Sequence, residues 1–194
     1  MKIAVLGWGS LIWDSRNLAI QSQWQLDGPK LPVEFGRVSM GDRLTLILEE
    51  GAKILQVLWA LSSTATMELA KENLREREGT ASRYIHFIAV DSNSEPPALG
   101  VAKTVWDWAL VKGLDGAVWT GLGSKRPEGH QGEWDYEARL NYLRDLKENG
   151  RSGAAEEYIR GAPSQIRTTL RSMIEQELGW KPLAGPNCTK VSGD

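Results

Sequence analysis

Cysteine is almost missing from this chain: Cys188 is the single one in 194 residues. One thiol supports no disulfide framework and no cysteine-based metal site. Histidine is nearly as scarce. His86 and His130 are the only two, and neither their spacing nor the carboxylates around them resembles a metal-ligand set. A basic excess is also lacking: 23 Lys and Arg stand against 25 Asp and Glu, for a net charge of −2. That balance argues against a nucleic-acid or anionic-membrane surface. No apolar run is long enough to span a bilayer, and the N-terminal segment, one lysine and a short apolar stretch broken by Gly-Trp-Gly, is not expected to act as a signal peptide. The expectation is a cytoplasmic protein with neither a nucleic-acid nor a membrane partner. Phenylalanine occurs twice but tryptophan nine times. Tryptophan buries a large area and needs a partner for its N–H, so several are expected at the core edge or in a pocket wall.

What remains is ordinary globular composition, 41% hydrophobic and 25% charged, without repeats or low-complexity segments. We expect one domain over 1–183 and a tail over 184–194 that holds Cys188. The first 120 residues are rich in strand signals. Residues 3–6 read as a buried first strand, 31–35 as a second, and 43–48 and 53–61 as a hairpin across Glu49-Glu50-Gly51-Ala52. A helix is expected over 65–78, closed by Gly79, with strands over 84–90 and 98–110 after it. Residues 121–134, GLGSKRPEGHQGEW, read as a mobile loop or lid, and 135–183 as helices, one over 135–148 and a last one from Pro163.

The most informative phrase is MKIAVLGWGSLIWD, residues 1–14. Two glycines flanking Trp8 let a chain turn sharply after a buried strand and approach a ligand, with amide N–H groups forming an anion or oxyanion cradle. The alternative is a purely structural turn. A dinucleotide-binding turn is disfavoured on three grounds. Ile12 occupies the place of the third glycine of G-x-G-x-x-G, no crossover helix precedes the strand at 31–35, and Asp27, inside a Gly-Pro loop, is the one acidic candidate for the ribose. Ser10 does not meet G-x-S-x-G, which excludes a serine nucleophile elbow.

A second phrase, NLREREGTASRY over 73–84, ends the expected helix. Met67, Ala70 and Leu74 form its buried stripe, and Glu78, four residues on, lies only ~40° from Leu74 at 3.6 residues per turn. Glu72, Arg75, Glu76 and Arg77 are expected to be solvated. Partial burial and the negative helix end both raise the pKa of Glu78, as suits a general base. The alternative is a frayed end with Glu78 in water, or paired with Arg75 or Arg83.

Together the two phrases resemble the γ-glutamylcyclotransferase-like superfamily. GWGSLIWD is similar to its Tyr-Gly-Ser-Leu loop, closest to the ChaC-like branch, and the glutamate-glycine-tyrosine phrase is similar to its second motif. Trp8 departs from the family tyrosine, and Glu76 is a rival carboxylate; Glu78 is preferred for its place on the stripe and directly before Gly79. The resemblance implies an α+β fold, a small mixed and mostly antiparallel β-barrel (core 1–120) with peripheral helices. It implies cyclisation of a γ-glutamyl compound to 5-oxoproline with release of an amine, without cofactor or metal. Glu78 would be the catalytic base; Trp8, Gly9, Ser10, Leu11 and Tyr84 would bind substrate. Two alternatives stay open: a non-catalytic binding or interaction module, and a γ-glutamyl amide hydrolase. His86 is expected as an interior strand histidine and His130 as a solvated one. Lys125 and Arg126 either meet a substrate carboxylate or keep their loop soluble.

Overall fold

A computed structural model describes residues 1–90 and 94–183. The tail at 184–194, with Cys188, lies outside the described residues. The elements run β1 Ile3–Gly7, β2 Lys30–Val38, β3 Leu44–Leu48, β4 Ile54–Gln56, β5 Leu58–Leu61, α1 Met67–Glu78, β6 Ile85–Ala89, α2 Gly100–Val111, β7 Gly116–Thr120, α3 Tyr136–Glu148, α4 Gly153–Gly161 and α5 Thr169–Leu178. The class is α+β. The chain forms two compact units: Met1–Leu31 with Gln56–Gly121, and Pro32–Leu55 with the chain from Leu122 onward.

The first unit is built on a sheet in the order β5-β1-β7-β6. β1 is central, antiparallel to β5 and parallel to β7, and β7 is antiparallel to β6. Every residue of β1 is buried, which explains its continuous apolar run. α1 lays Met67, Ala70 and Leu74 against Ile3, Val5, Ile85 and Val118. Thr66 caps its start by accepting from Leu69 N–H, and Gly79, at φ 60°, ends it in the left-handed region that only glycine adopts freely. The helix end is thus closed, not frayed.

The second unit holds a sheet in the order β3-β2-β4. β2 lies between the two runs expected to form a hairpin, so β3 and β4 are not partners. The run over 53–61 also divides at Val57, with β4 in this sheet and β5 in the other. Among the described strands neither sheet closes, so the expected barrel is replaced by two open sheets. The strand expected over 98–110 is the helix α2. Val105, Trp106 and Ala109 are buried on one face at helical spacing, and Lys103 meets Asp107 one turn on at 2.5 Å. The expected last helix is α5, which starts at Thr169 and not at Pro163; Pro163 lies in the link after α4, a helix that precedes it.

Residues 122–134 are irregular but stitched to β2. A bulge at Gly36 interrupts the pairing with β3, and its carbonyl accepts from Ser124 Oγ at 2.9 Å and Trp134 Nε1 at 3.0 Å. Val38 N–H donates to the Lys125 carbonyl, and Arg37 Nη1 to that of Gly123. The expected loop is thus present as an irregular segment hydrogen-bonded along β2. Of the nine tryptophans, Trp8, Trp106, Trp119, Trp134 and Trp180 are buried. The partly exposed Trp59 and Trp108 turn their N–H groups to Asp27. No helix among the described residues is long and apolar enough to cross a membrane.

Glu34 gives this unit a pH-dependent part. Fully buried on β2, it accepts from Phe35 N–H at 2.8 Å, and from Thr169 and Leu170 N–H at the start of α5 at 3.0 and 3.3 Å. Burial nonetheless holds its carboxyl above the ordinary 4.5. A raised carboxyl binds its proton more tightly when folded. Its stabilising contribution is full below 4.5 and is lost as pH rises through the folded value. Glu34→Gln loses an acceptor at every pH but removes this titration. Its stability relative to wild type should therefore improve steadily from acid to neutral pH in urea unfolding. Parallel curves across that range would contradict the assignment.

Candidate functional site

The first unit brings the two sequence phrases together. After β1, Trp8 and Leu11 are buried and the chain closes a single turn: Ile12 N–H donates to the Gly9 carbonyl at 3.1 Å, and Asp14 N–H to that of Ser10 at 2.9 Å. These bonds use carbonyls and later amides, so neither consumes the amides of Gly9, Ser10 and Leu11 at the head of the turn. Gly7 serves a close approach, but of protein: a Cβ there would meet the Trp24 ring at 2.7 Å.

The loop that follows is fastened to α1. Asn73 accepts from Ala19 N–H at 2.7 Å and donates to the Asn17 carbonyl at 2.9 Å. One turn further along α1, Arg77 reaches the same loop. Its Nη2 donates to Ser10 Oγ at 3.2 Å and to the Asp14 carbonyl at 2.5 Å, while its Nη1 donates to Glu78 Oε1 at 2.9 Å. Arg77 is thus the link between the Gly9-Ser10 turn and Glu78. This corrects the expectation that Arg77 is solvated, for its side chain is only 3% exposed.

Glu78 is 17% exposed, and its partner is Arg77, not Arg75 or Arg83. Desolvation is the dominant influence on it and holds its carboxyl above the ordinary 4.5, against the pull of Arg77 and, more weakly, of Arg16. Arg16, at φ 50°, is one of the few non-glycine residues in the left-handed region. Its Nε donates to Asp14 Oδ2 at 3.1 Å and its Nη1 lies 3.5 Å from the Arg77 carbonyl. The result is a compact cluster of alternating charge: Glu78, Arg77, Asp14 and Arg16. Glu76 is half exposed and 4.0 Å from Arg75, outside this cluster.

The other expected site residues fall in nearby but different settings. Tyr84 is half-buried in the short turn after α1; its hydroxyl accepts from Arg83 Nη2 at 3.2 Å and its carbonyl from Gly121 N–H at 2.7 Å. His86 is exposed, which corrects its expected interior place. β6 is an edge strand whose buried residues are Ile85 and Ile88, and His86 leans on Trp119 with ring centroids 6.0 Å apart. His130 turns Nε2 to the Glu133 carbonyl at 3.0 Å. Lys125 and Arg126 belong to the second unit, and Arg126 donates to the Gly132 carbonyl at 2.6 Å.

Sequence reasoning missed Arg77, Asp14, Arg16 and Asn73. The second unit also carries an unforeseen cavity of about 390 Å³, with Glu49, Trp134, Tyr136 and Arg139 in its wall. Arg139 is committed there to Glu49 at 2.5 and 2.7 Å. Among the described residues, no group of three His, Cys, Asp or Glu side chains is placed to hold a metal ion. Chemically, the cluster on the first unit offers a desolvated carboxylate, a fixed guanidinium and a turn of backbone amides within one small space. Compared with known proteins, the chain matches no family model, no curated protein and no solved structure.

Proposed function

We propose that the chain is a γ-glutamylcyclotransferase-like enzyme that converts a γ-glutamyl compound to 5-oxoproline and a free amine. The observation that carries the reading is the junction of Glu78 with the Gly9-Ser10 turn through one buried arginine. These residues are more than sixty positions apart, and local periodicity does not require them to meet. The reading does not depend on a closed barrel, only on β1, its turn and the end of α1.

In this reaction the substrate's α-amino nitrogen attacks its own γ-carbonyl carbon. A five-membered lactam forms as the new C–N bond is made and the bond to the leaving nitrogen breaks. The Glu78 carboxylate takes a proton from the attacking amine and returns one to the leaving nitrogen. Amides of Gly9, Ser10 and Leu11 hold the γ-glutamyl end and the developing oxyanion. No external reactant enters. The protein's contribution is to fold a flexible chain into attack geometry, where effective molarity is large.

The test is product analysis by mass spectrometry after incubation with γ-glutamyl peptides, γ-glutamyl amino acids and γ-glutamyl amines. Stoichiometric 5-oxoproline and free amine are expected from at least one class. Free glutamate in place of 5-oxoproline would make the protein a γ-glutamyl amide hydrolase. Intact substrates throughout would leave a binding module on the same scaffold.

A further inference from the structure

We propose that Arg77 is a positioning residue, whose guanidinium holds the Glu78 carboxylate and the Ser10 turn in one fixed frame. Its consequence for turnover rests on the cyclisation reading; its geometry does not. Met67, Ala70, Leu74 and Arg77 follow one another at helical spacings of three and four, and all four are buried. An apolar residue at the last position would continue the stripe without cost. A guanidinium there is expensive to desolvate unless its donors are satisfied. The fork meets that need by spanning two elements: Nη1 faces the carboxylate on its own helix, and Nη2 faces the Ser10 hydroxyl and the Asp14 carbonyl on the loop after β1. Nε finds no acceptor among the described residues, so all of the contacts run through the two terminal nitrogens.

A structural clamp alone would explain the bonds to the loop. It would not explain why the same plane ends on the carboxylate that burial destabilises. A planar fork fixes two acceptors at a set separation, which a lysine ammonium does not reproduce. The charged groups around Glu78 are Arg77 on its own helix and, on the loop after β1, Arg16 and its partner Asp14, whose Oδ2 is 4.0 Å from Arg77 Nη2. Arg16 acts from a half-exposed position and Arg77 from a buried one. Screening therefore weakens the first more than the second.

The experiment uses the full chain with ¹³C-carboxyl-labelled glutamate, the Glu78 signal being assigned by its loss in Glu78→Gln. NMR titration of Glu78 is paired with steady-state kinetics across pH in wild type, Arg77→Lys and Arg77→Met. Arg77→Lys keeps the charge but not the fork. Glu78 should then titrate near its wild-type midpoint while kcat falls about 10²-fold with little change in KM. Arg77→Met removes the charge. The Glu78 midpoint should rise further, and the acid limb of the rate profile should move up with it. A merely structural arginine would lower thermal stability in both variants and leave kcat of the folded lysine variant at the wild-type level. Wild-type kcat in Arg77→Lys, or an unmoved Glu78 midpoint in Arg77→Met, overturns the proposal. If Arg77→Met does not fold, kcat of the lysine variant decides. If wild type makes no 5-oxoproline, the cyclisation reading has failed by itself; the positioning role then stands or falls on the Glu78 titration in Arg77→Met.

Discussion

Glu78→Gln should bind γ-glutamyl substrate about as well as wild type and turn it over about 10²–10⁴-fold more slowly, the usual contribution of a general base. Glutamine matches the shape of the side chain, and its carbonyl oxygen still accepts from Arg77 Nη1, now 2.9 Å from Glu78 Oε1. The Ser10 turn therefore stays in place, and only the capacity to take a proton is lost. The pH profile makes the expectation sharper. Burial raises the carboxyl above 4.5, and the base acts in its ionised form. Turnover in wild type should thus climb as pH rises through that raised value, and Glu78→Gln should lack the climb. Glu76→Gln removes a half-exposed carboxylate two residues away and should leave both kcat and profile unchanged. Equal kcat values for the two variants would remove Glu78 from the role of base.

The contrast between Glu78 and Arg77 marks how far the sequence was readable. Strand β1, its Gly-Trp-Gly-Ser turn and the Gly79 cap of α1 are local patterns found where periodicity and capping place them, while α1 itself starts two residues later than expected, after Thr66. At 100° per residue, Arg77 and Glu78 lie roughly 50° to either side of the stripe centre set by Met67, Ala70 and Leu74. Periodicity alone does not choose between them. The longer arginine reaches across to Ser10 and is buried; the shorter glutamate stays at the rim. A charged residue that completes a 3-4-3 spacing was the available signal, and it lay beside the one that was followed.

The errors in topology have a common cause. The linker over 49–52 has hairpin composition, but whether its flanking strands pair depends on β2, which inserts between them from earlier in the chain. The division of 53–61 between two sheets leaves no local mark, since both halves are apolar and alternate. The helix α2 is rich in valine and tryptophan, which weigh toward strand, and the i,i+4 pairing of Lys103 with Asp107 was the counter-signal. The exposure of His86 follows from β6 being an edge, a property of the sheet and not of the strand. Buried charges such as Glu34 and Arg139 were equally hidden, because their partners are backbone groups or side chains a hundred residues away.

Arg171→Met should cost on the order of 3–5 kcal/mol of stability, the range expected when a buried charge is removed and its partners are left behind. Arg171 is 1% exposed. Its Nη1 donates to the carbonyls of Pro163 and Ile166 at 2.8 and 3.0 Å, and its Nη2 to those of Ile159 and Ala162 at 3.1 and 2.8 Å. Those four carbonyls belong to the end of α4 and the link to α5, where a chain turning past Pro163 leaves acceptors that no helix satisfies. Glu175, one turn along α5 at 3.5 Å, supplies the counter-charge. Methionine fills most of the volume but donates nothing, so the carbonyls of Ile159, Ala162 and Ile166 would lose the guanidinium, that of Pro163 would keep only Ile166 N–H, and the half-buried Glu175 would lose its counter-charge. Lysine restores a charge and up to three donors from a single point, too few to reach all four acceptors, and should recover only part of the loss. Urea unfolding should show a lower midpoint for Arg171→Met with nearly unchanged slope, because the surface exposed on unfolding is the same. A loss below about 1 kcal/mol, the scale of one ordinary hydrogen bond, would mean that the link repacks to satisfy its own carbonyls and that Arg171 is not what fixes the turn between α4 and α5.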